Sequence, residues 1–265
     1  MMDCMCRLLA FSFTPETNKE ERVSCINSFK TLSTSGSVLP MSTSGHADGW
    51  GFSLYKEKRV TPFSYKSVLS AVEDSRCKVE SFFDGGIYES GLVHLRKMTV
   101  GGASLVNTHP FIESEYSFVH NGTISQSEKL YENLSAYCEG STDSERLFRR
   151  FLEIKKNEIV STQTAFTKML KETKELYPEY SAINTILHDG VCIYVSRIIN
   201  QHNTKYTFSD TEKYYTLYVG TTKCGDTIVS SEKIPYEDIV YTLLPNDSVS
   251  VITLSSGILE THQIV

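Results

Sequence analysis

MMDCMCRLLAF, residues 1–11, places a cysteine, Cys6, directly after a methionine and directly before a short apolar stretch that reads as a β-strand. Translation from Met5 followed by loss of that methionine makes the thiol the first residue; proteolytic trimming does the same in more steps. A cysteine at a free N-terminus carries its own proton acceptor, because its α-amine titrates at about 7.7–8.0 beside a thiol at about 8.5. No separate histidine is then required to activate the sulfur. With residues 1–5 retained the amine is blocked, so the expected active form lacks them and the untrimmed chain is expected to be poorly active. Taken alone, the same residue reads equally as a small buried apolar side chain opening a strand.

The rest of the chain bounds what this N-terminus can belong to. At 265 residues, with 40% apolar and 22% charged side chains, it has the composition of an ordinary globular protein. No apolar run approaches the ~20 residues of a membrane helix, so no membrane partner is expected. The 26 basic and 32 acidic residues leave a net charge of −6 without a basic block, which argues against nucleic acid. Asp3 stands where a secretory signal has its positive region, and the apolar stretch is too brief for one. The seven cysteines are odd in number and scattered, which suits reduced thiols and a cytoplasmic location.

No repeat, low-complexity tract or Pro/Gly-rich linker marks a boundary, and one domain over 1–265 is the simplest reading. Residues 32–45, dense in Ser, Thr and Gly, read as a loop leading into a strand at 48–55. Further strands are expected at 91–97, 116–120, 191–199, 214–220 and 249–254. Ser125-x-x-Glu128 and Thr142-x-x-Glu145 are capping-box signatures before helices at 130–137 and 147–154. A third helix is expected between 164 and 176. β-rich stretches at both ends with helical ones between them point to an α+β domain on antiparallel strands.

Polar motifs follow Cys6 in order: His46-x-Asp48-Gly49-Trp50-Gly51, His94-x-Arg96-x-x-Thr99, Asn107-Thr108-His109-Pro110-Phe111, His120-Asn121-Gly122 and Thr142-Asp143-Ser144-Glu145. Each alone is a weak signal. Together they resemble the class II glutamine amidotransferase domain of the N-terminal-nucleophile hydrolases, in its stand-alone form, over most of the chain. The resemblance sharpens the fold expectation to a four-layer αββα sandwich of two antiparallel sheets. It implies hydrolysis of a γ-glutamyl amide, with Cys6 as nucleophile and Asn121 and Gly122 as the oxyanion hole. Asn-Gly is also a strong hairpin signal, but the helix cap expected at Ser125 leaves no room for a returning strand.

The resemblance also implies that Arg96 meets the substrate α-carboxylate and Asp143 its α-ammonium, with Thr99 and Gly45 lining the same pocket. Alternation puts Leu92, His94 and Arg96 on one strand face. Val100 stands where related enzymes carry a histidine. Gly45, Trp50 and Gly51 are expected to let the chain pass close to Cys6. His94, His109 and His120 fit no compact zinc spacing and are read as hydrogen-bonded supports, so no metal and no cofactor are expected. The expected partner is a small molecule, glutamine or a γ-glutamyl compound. A separate ammonia-accepting enzyme, a homodimer and a catalytically silent scaffold of the same fold stay open.

Overall fold

The computed structural model describes residues 6–40, 45–56, 61–84, 88–98, 102–202, 207–236 and 238–264. β1 (Arg7–Ser12) lies near the middle of a seven-stranded sheet with β2 (Trp50–Tyr55), β3 (Phe63–Ser67), β4 (Ser90–Leu95), β9 (Tyr218–Thr221), β10 (Thr227–Ser230) and β11 (Val240–Leu243), in the order β11-β9-β10-β1-β4-β2-β3. β5 (Phe111–Glu113), β6 (Tyr116–Asn121), β7 (Asn184–His188), β8 (Cys192–Arg197), β12 (Ser248–Thr253) and β13 (Ile258–Gln263) make a second sheet, ordered β13-β12-β8-β7-β6-β5. All neighbours in both sheets run antiparallel.

Period-two alternation turns each strand into two core faces. Along β1, Leu8 and Ala10 point at the second sheet and join Leu92, Val119, Ile186, Ile193, Val195, Val229 and Ile252 between the sheets. Leu9 and Phe11 point the other way, packing with Trp50, Phe52 and Val93 against Cys25, Ile26 and Phe29 of α1 (Lys19–Ser35). On the far side Phe118, Leu187 and Val249 meet Leu147, Phe148 and Phe151 of α2 (Asp143–Asn157) and Phe166, Met169 and Leu170 of α3 (Thr162–Leu176). The result is the expected αββα sandwich. No helix among the described residues is long and apolar enough to cross a membrane.

Several local expectations are corrected. Residues 32–35, expected in a loop, are the last turn of α1. The helix expected at 130–137 is a 3-10 segment, Glu132–Tyr137, entered through a left-handed Tyr131. The residue at the cap position of this segment is Tyr131, which makes no side-chain cap bond, while Ser125 N–H donates to Glu179 O at 2.8 Å. The absence of a hairpin at Asn121-Gly122 therefore rests on another cause: the chain after Gly122 forms a lone bridge, Ile124 with Tyr180. The strand expected at 214–220 starts only at Tyr218, after a short helix α4 (Phe208–Tyr214) capped by Thr207. The Thr142 cap holds, with Glu145 N–H donating to its hydroxyl at 3.2 Å. Glu145 does not close the capping box; its carboxylate accepts from Glu139 N and Gly140 N, both at 2.8 Å.

Candidate active site

Antiparallel pairing of Arg7 with Leu95 sets the start of β1 beside the end of β4, and β6 of the other sheet crosses both. Cys6, Arg96 and Asn121 therefore collect at one end of the sandwich although they are far apart in sequence. Cys6 is buried. Its backbone N–H donates to Asn121 Oδ1 at 3.0 Å and its thiol faces Lys97 O at 3.7 Å. The Cys6 carbonyl accepts from Arg7 Nη1 at 3.2 Å and from the Tyr214 hydroxyl at 3.5 Å. Arg7 is itself buried, pairs with Glu232 at 2.7 Å, donates to Ser37 O and lies over the Tyr214 ring. Cys6 is thus held at its nitrogen by Asn121 and at its carbonyl by Arg7 and Tyr214.

With its oxygen bound to Cys6 N–H, Asn121 has a buried side-chain NH2 that makes no hydrogen bond among the described residues. A buried donor left unpaired is costly unless something is meant to accept from it. The next residue has to be glycine, because a Cβ at Gly122 would lie 1.8 Å from Ala182 O. The chain then rises to α2: Asp143, buried at its first turn, accepts from Ile124 N at 2.8 Å through one carboxylate oxygen and from Ser144 N at 2.8 Å through the other.

Arg96, one residue past β4, is buried with its backbone pinned on both sides, Arg96 N–H to Gly49 O at 2.8 Å and Asp48 N–H to Arg96 O at 3.0 Å. One guanidinium N–H reaches Gly102 O at 3.3 Å. Asp48 also accepts from Met98 N at 2.8 Å, which fixes the chain just beyond Arg96. Thr99 and Val100 lie outside the described residues, as do Met1 to Met5. Gly45, with φ +89°, sits against Ser33 O at the end of α1. Trp50 and Gly51 follow on β2, each with close neighbours of its own. The indole packs under α1 and donates to Asp74 Oδ2 at 3.1 Å. Gly51 makes its close approach to His109 O, 2.3 Å from where a Cβ would stand.

The histidines form a buried row across the sheet interface. His94 donates through Nε2 to His120 O at 3.3 Å and stacks on His109 with centroids 4.1 Å apart. His120 Nδ1 is 3.0 Å from Ser144 Oγ, and Nε2 is 3.3 Å from Ala182 O. His109 departs from the expectation of a hydrogen-bonded support: neither ring nitrogen has a partner among the described residues, and the ring is held by stacking on His94 and edge contact with Phe111. Burial, reinforced by Arg96, pushes His94 down to about 3. Burial and the neighbouring cations push His109 well down, and burial lowers His120 against the pull of Asp143. At neutral pH these imidazoles are uncharged, so Arg96 supplies positive charge here and Asp143 negative. No three His, Cys, Asp or Glu among the described residues are grouped to hold a metal.

Three supports were not legible as such. Arg7 reads as a strand residue, Tyr214 as part of a strand, and Asn107 as one letter of a motif without a role. Only Asn107 carried a signal, its place in Asn107-Thr108-His109-Pro110-Phe111.

Residues 5–206 match the family model of class-II glutamine amidotransferases. A stretch of 191 residues, 70% of the chain, is 31% identical to an uncharacterized protein of Methanocaldococcus jannaschii, covering 49% of it. Over 155 residues, 56% of the chain, it is 28% identical to a provisionally named glutamine amidotransferase of Haemophilus influenzae, covering 51% of it. The chain spans about half the length of these curated relatives. Among solved structures, a glutamine aminotransferase class-II domain protein from Silicibacter pomeroyi superposes with a TM-score of 0.60 at 18% identity, over 98% of this chain and 100% of that one. The glutamine phosphoribosylpyrophosphate amidotransferase of B. subtilis gives 0.68 at 12% identity, over 98% of this chain and 49% of that one. At such identities the superpositions show the fold alone.

Proposed function

The chain belongs to the class-II glutamine amidotransferases, and on that premise we propose that it hydrolyses the γ-amide of glutamine or of a γ-glutamyl compound through a thioester on Cys6. With Cys6 as first residue, its nitrogen is an amine that donates one N–H to Asn121 and takes the thiol proton. The sulfur attacks the amide carbon. In the proposed oxyanion hole the Asn121 NH2 and the Gly122 N–H donate to the oxygen as it becomes negative. The amine returns its proton to the departing nitrogen as ammonia or amine leaves, and a γ-glutamyl thioester remains. Water, deprotonated by the same amine, attacks the thioester and releases glutamate with the thiol restored.

The observation that carries the reading is the bond from Cys6 N–H to Asn121 Oδ1, which leaves the asparagine NH2 buried and unspent among the described residues. Arg96 and Asp143 take the α-carboxylate and α-ammonium, which limits the substrate to a free amino-acid end. A second reading has the chain passing ammonia to a separate acceptor enzyme.

The test is glutamate release from glutamine and from a panel of γ-glutamyl amides and peptides by protein whose first residue is Cys6. Cys6→Ala is expected to abolish it, and a glutamine-mimicking alkylator to label Cys6. Label on another side chain, or full activity with Met1 retained by intact mass, sinks the mechanism. Activity that needs a co-purified subunit selects the second reading, and preference for γ-glutamyl peptides selects the first.

A further inference from the structure

We infer that Asn107 is a positioning residue that sets the spacing between Arg96 and Asp143, and so makes the site a gauge for a substrate carrying both an α-carboxylate and an α-ammonium. The inference rests on the proposed γ-glutamyl amide site and adds to it the residue that fixes its selectivity. Asn107 is buried between two loops that bring those charges in. Its NH2 donates to Gly102 O at 3.3 Å, the same carbonyl that accepts from Arg96 Nη1 at 3.3 Å. Its oxygen accepts from Ser141 N at 2.9 Å, two residues before Asp143, and its NH2 also reaches Ser141 Oγ at 3.5 Å. One amide side chain thus joins the carbonyl that holds the arginine to the backbone that delivers the aspartate.

The loop has little freedom to evade this tie. A Cβ at Gly140 would lie 2.3 Å from Asn107 Oδ1 and 2.9 Å from Val106 O, so the backbone before Ser141 packs directly on the asparagine. From the other side Glu145 holds Glu139 N and Gly140 N at 2.8 Å each. A primary amide is the side chain that can donate to a carbonyl in one direction and accept from a backbone N–H in the other. The two charges on a substrate's α-carbon sit at a fixed separation, so a shift of either loop weakens a ligand that uses both and spares one that uses only one.

The experiment compares glutamine with 4-carbamoylbutanoate, which lacks the α-ammonium, and 4-aminobutanamide, which lacks the α-carboxylate. Asn107→Ala is expected to raise KM for glutamine by about 10- to 100-fold, as displacement of a binding group by ~1 Å does. Its kcat should stay within about threefold, and the preference over both analogues should shrink by the same factor as KM rises. Asn107→Asp keeps the acceptor for Ser141 and loses the donor to Gly102, and should fall between. Thr108→Val removes a neighbouring bond inside one loop, Thr108 Oγ1 to Ser104 O at 2.9 Å, and should lower Tm without touching the preference. An unchanged preference in folded Asn107→Ala, or an equal loss on all three amides, overturns the inference. Calorimetry of Cys6→Ala protein separates the levels: if it binds glutamine and Asn107→Ala leaves selectivity intact, only the gauge falls, whereas no glutamine binding with Asn107 present overturns the gauge and the site together.

Discussion

Asn121 and Gly122 meet opposite demands within two residues. The first must be held and still keep a donor, and the second must vanish sterically against Ala182 O. Asn121→Ala removes the proposed oxyanion donor and the tether on the Cys6 nitrogen, so kcat for glutamine should fall by about 10²–10³ in steady-state assays. The buried imidazoles make a second residue-level prediction. His188 accepts from Gly190 N at Nδ1, donates from Nε2 to Ser90 Oγ at 2.9 Å and stacks on Tyr55 at 3.7 Å; burial lowers it to about 3. The unfolded chain takes up a proton near 6.5 that the folded chain refuses until about 3. Stability is then complete above about 6.5 and falls as pH drops from there toward 3, by up to ~1.4 kcal/mol per pH unit for each such histidine. Urea midpoints between pH 7.5 and 5 check this, and His188→Gln should flatten the slope by one proton. Motif order singled out Cys6, Arg96, Asn121 and Asp143 as candidates, and pairing of β1 with β4 and crossing by β6 bring Cys6, Arg96 and Asn121 to one end of the sandwich. The bare stacking of His109 was not legible, because it depends on which strands of two sheets cross.

At the scale of elements, Thr142 decides where α2 starts and thereby where Asp143 points. Thr142→Ala should cost about 1 kcal/mol of stability by urea titration and raise KM for glutamine, since the cap and the proposed ammonium ligand are adjacent. α2 was legible because a capping signal precedes an amphipathic run, and α3 was expected at 164–176 without its Ser161 cap being read. α1 went unread, although Asn18 and Glu21 form a full capping box at 2.9 and 3.0 Å and Cys25, Ile26, Phe29 and Leu32 are buried along it. Its last turns read as loop because Ser and Thr hydroxyls compete with the helix backbone in an isolated chain. Packing against the sheet reverses that outcome, and the hydroxyls bond back inside the helix, Thr31 to Ser28 O at 2.7 Å and Ser35 to Thr31 O at 3.0 Å. The strand expected at 214–220 began too early, on the last residue of α4, because Tyr214 and Tyr215 carry high β-propensity, while Thr207, whose hydroxyl accepts from Asp210 N at 3.2 Å, was a cap in plain view.

For the molecule as a whole, the two sheets must stay in register on each other for Cys6 to meet Asn121. Leu92 is fully buried in the apolar layer between them, and Leu92→Ala should cost about 2–5 kcal/mol, seen as a lower denaturation midpoint at unchanged slope. Sheet order is what the chain conceals most: β1 pairs β10 across Leu9 and Ser230, and no local pattern encodes a partner so distant. The place of β1 between β10 and β4, with β13 at the rim of the other sheet, also makes the two strands mechanically unequal. Force applied to β1 must shear a strand out from between two neighbours, breaking both ladders at once. The same force on β13 peels away a border strand one rung at a time, so a single-molecule pull should free β13 at lower force than β1.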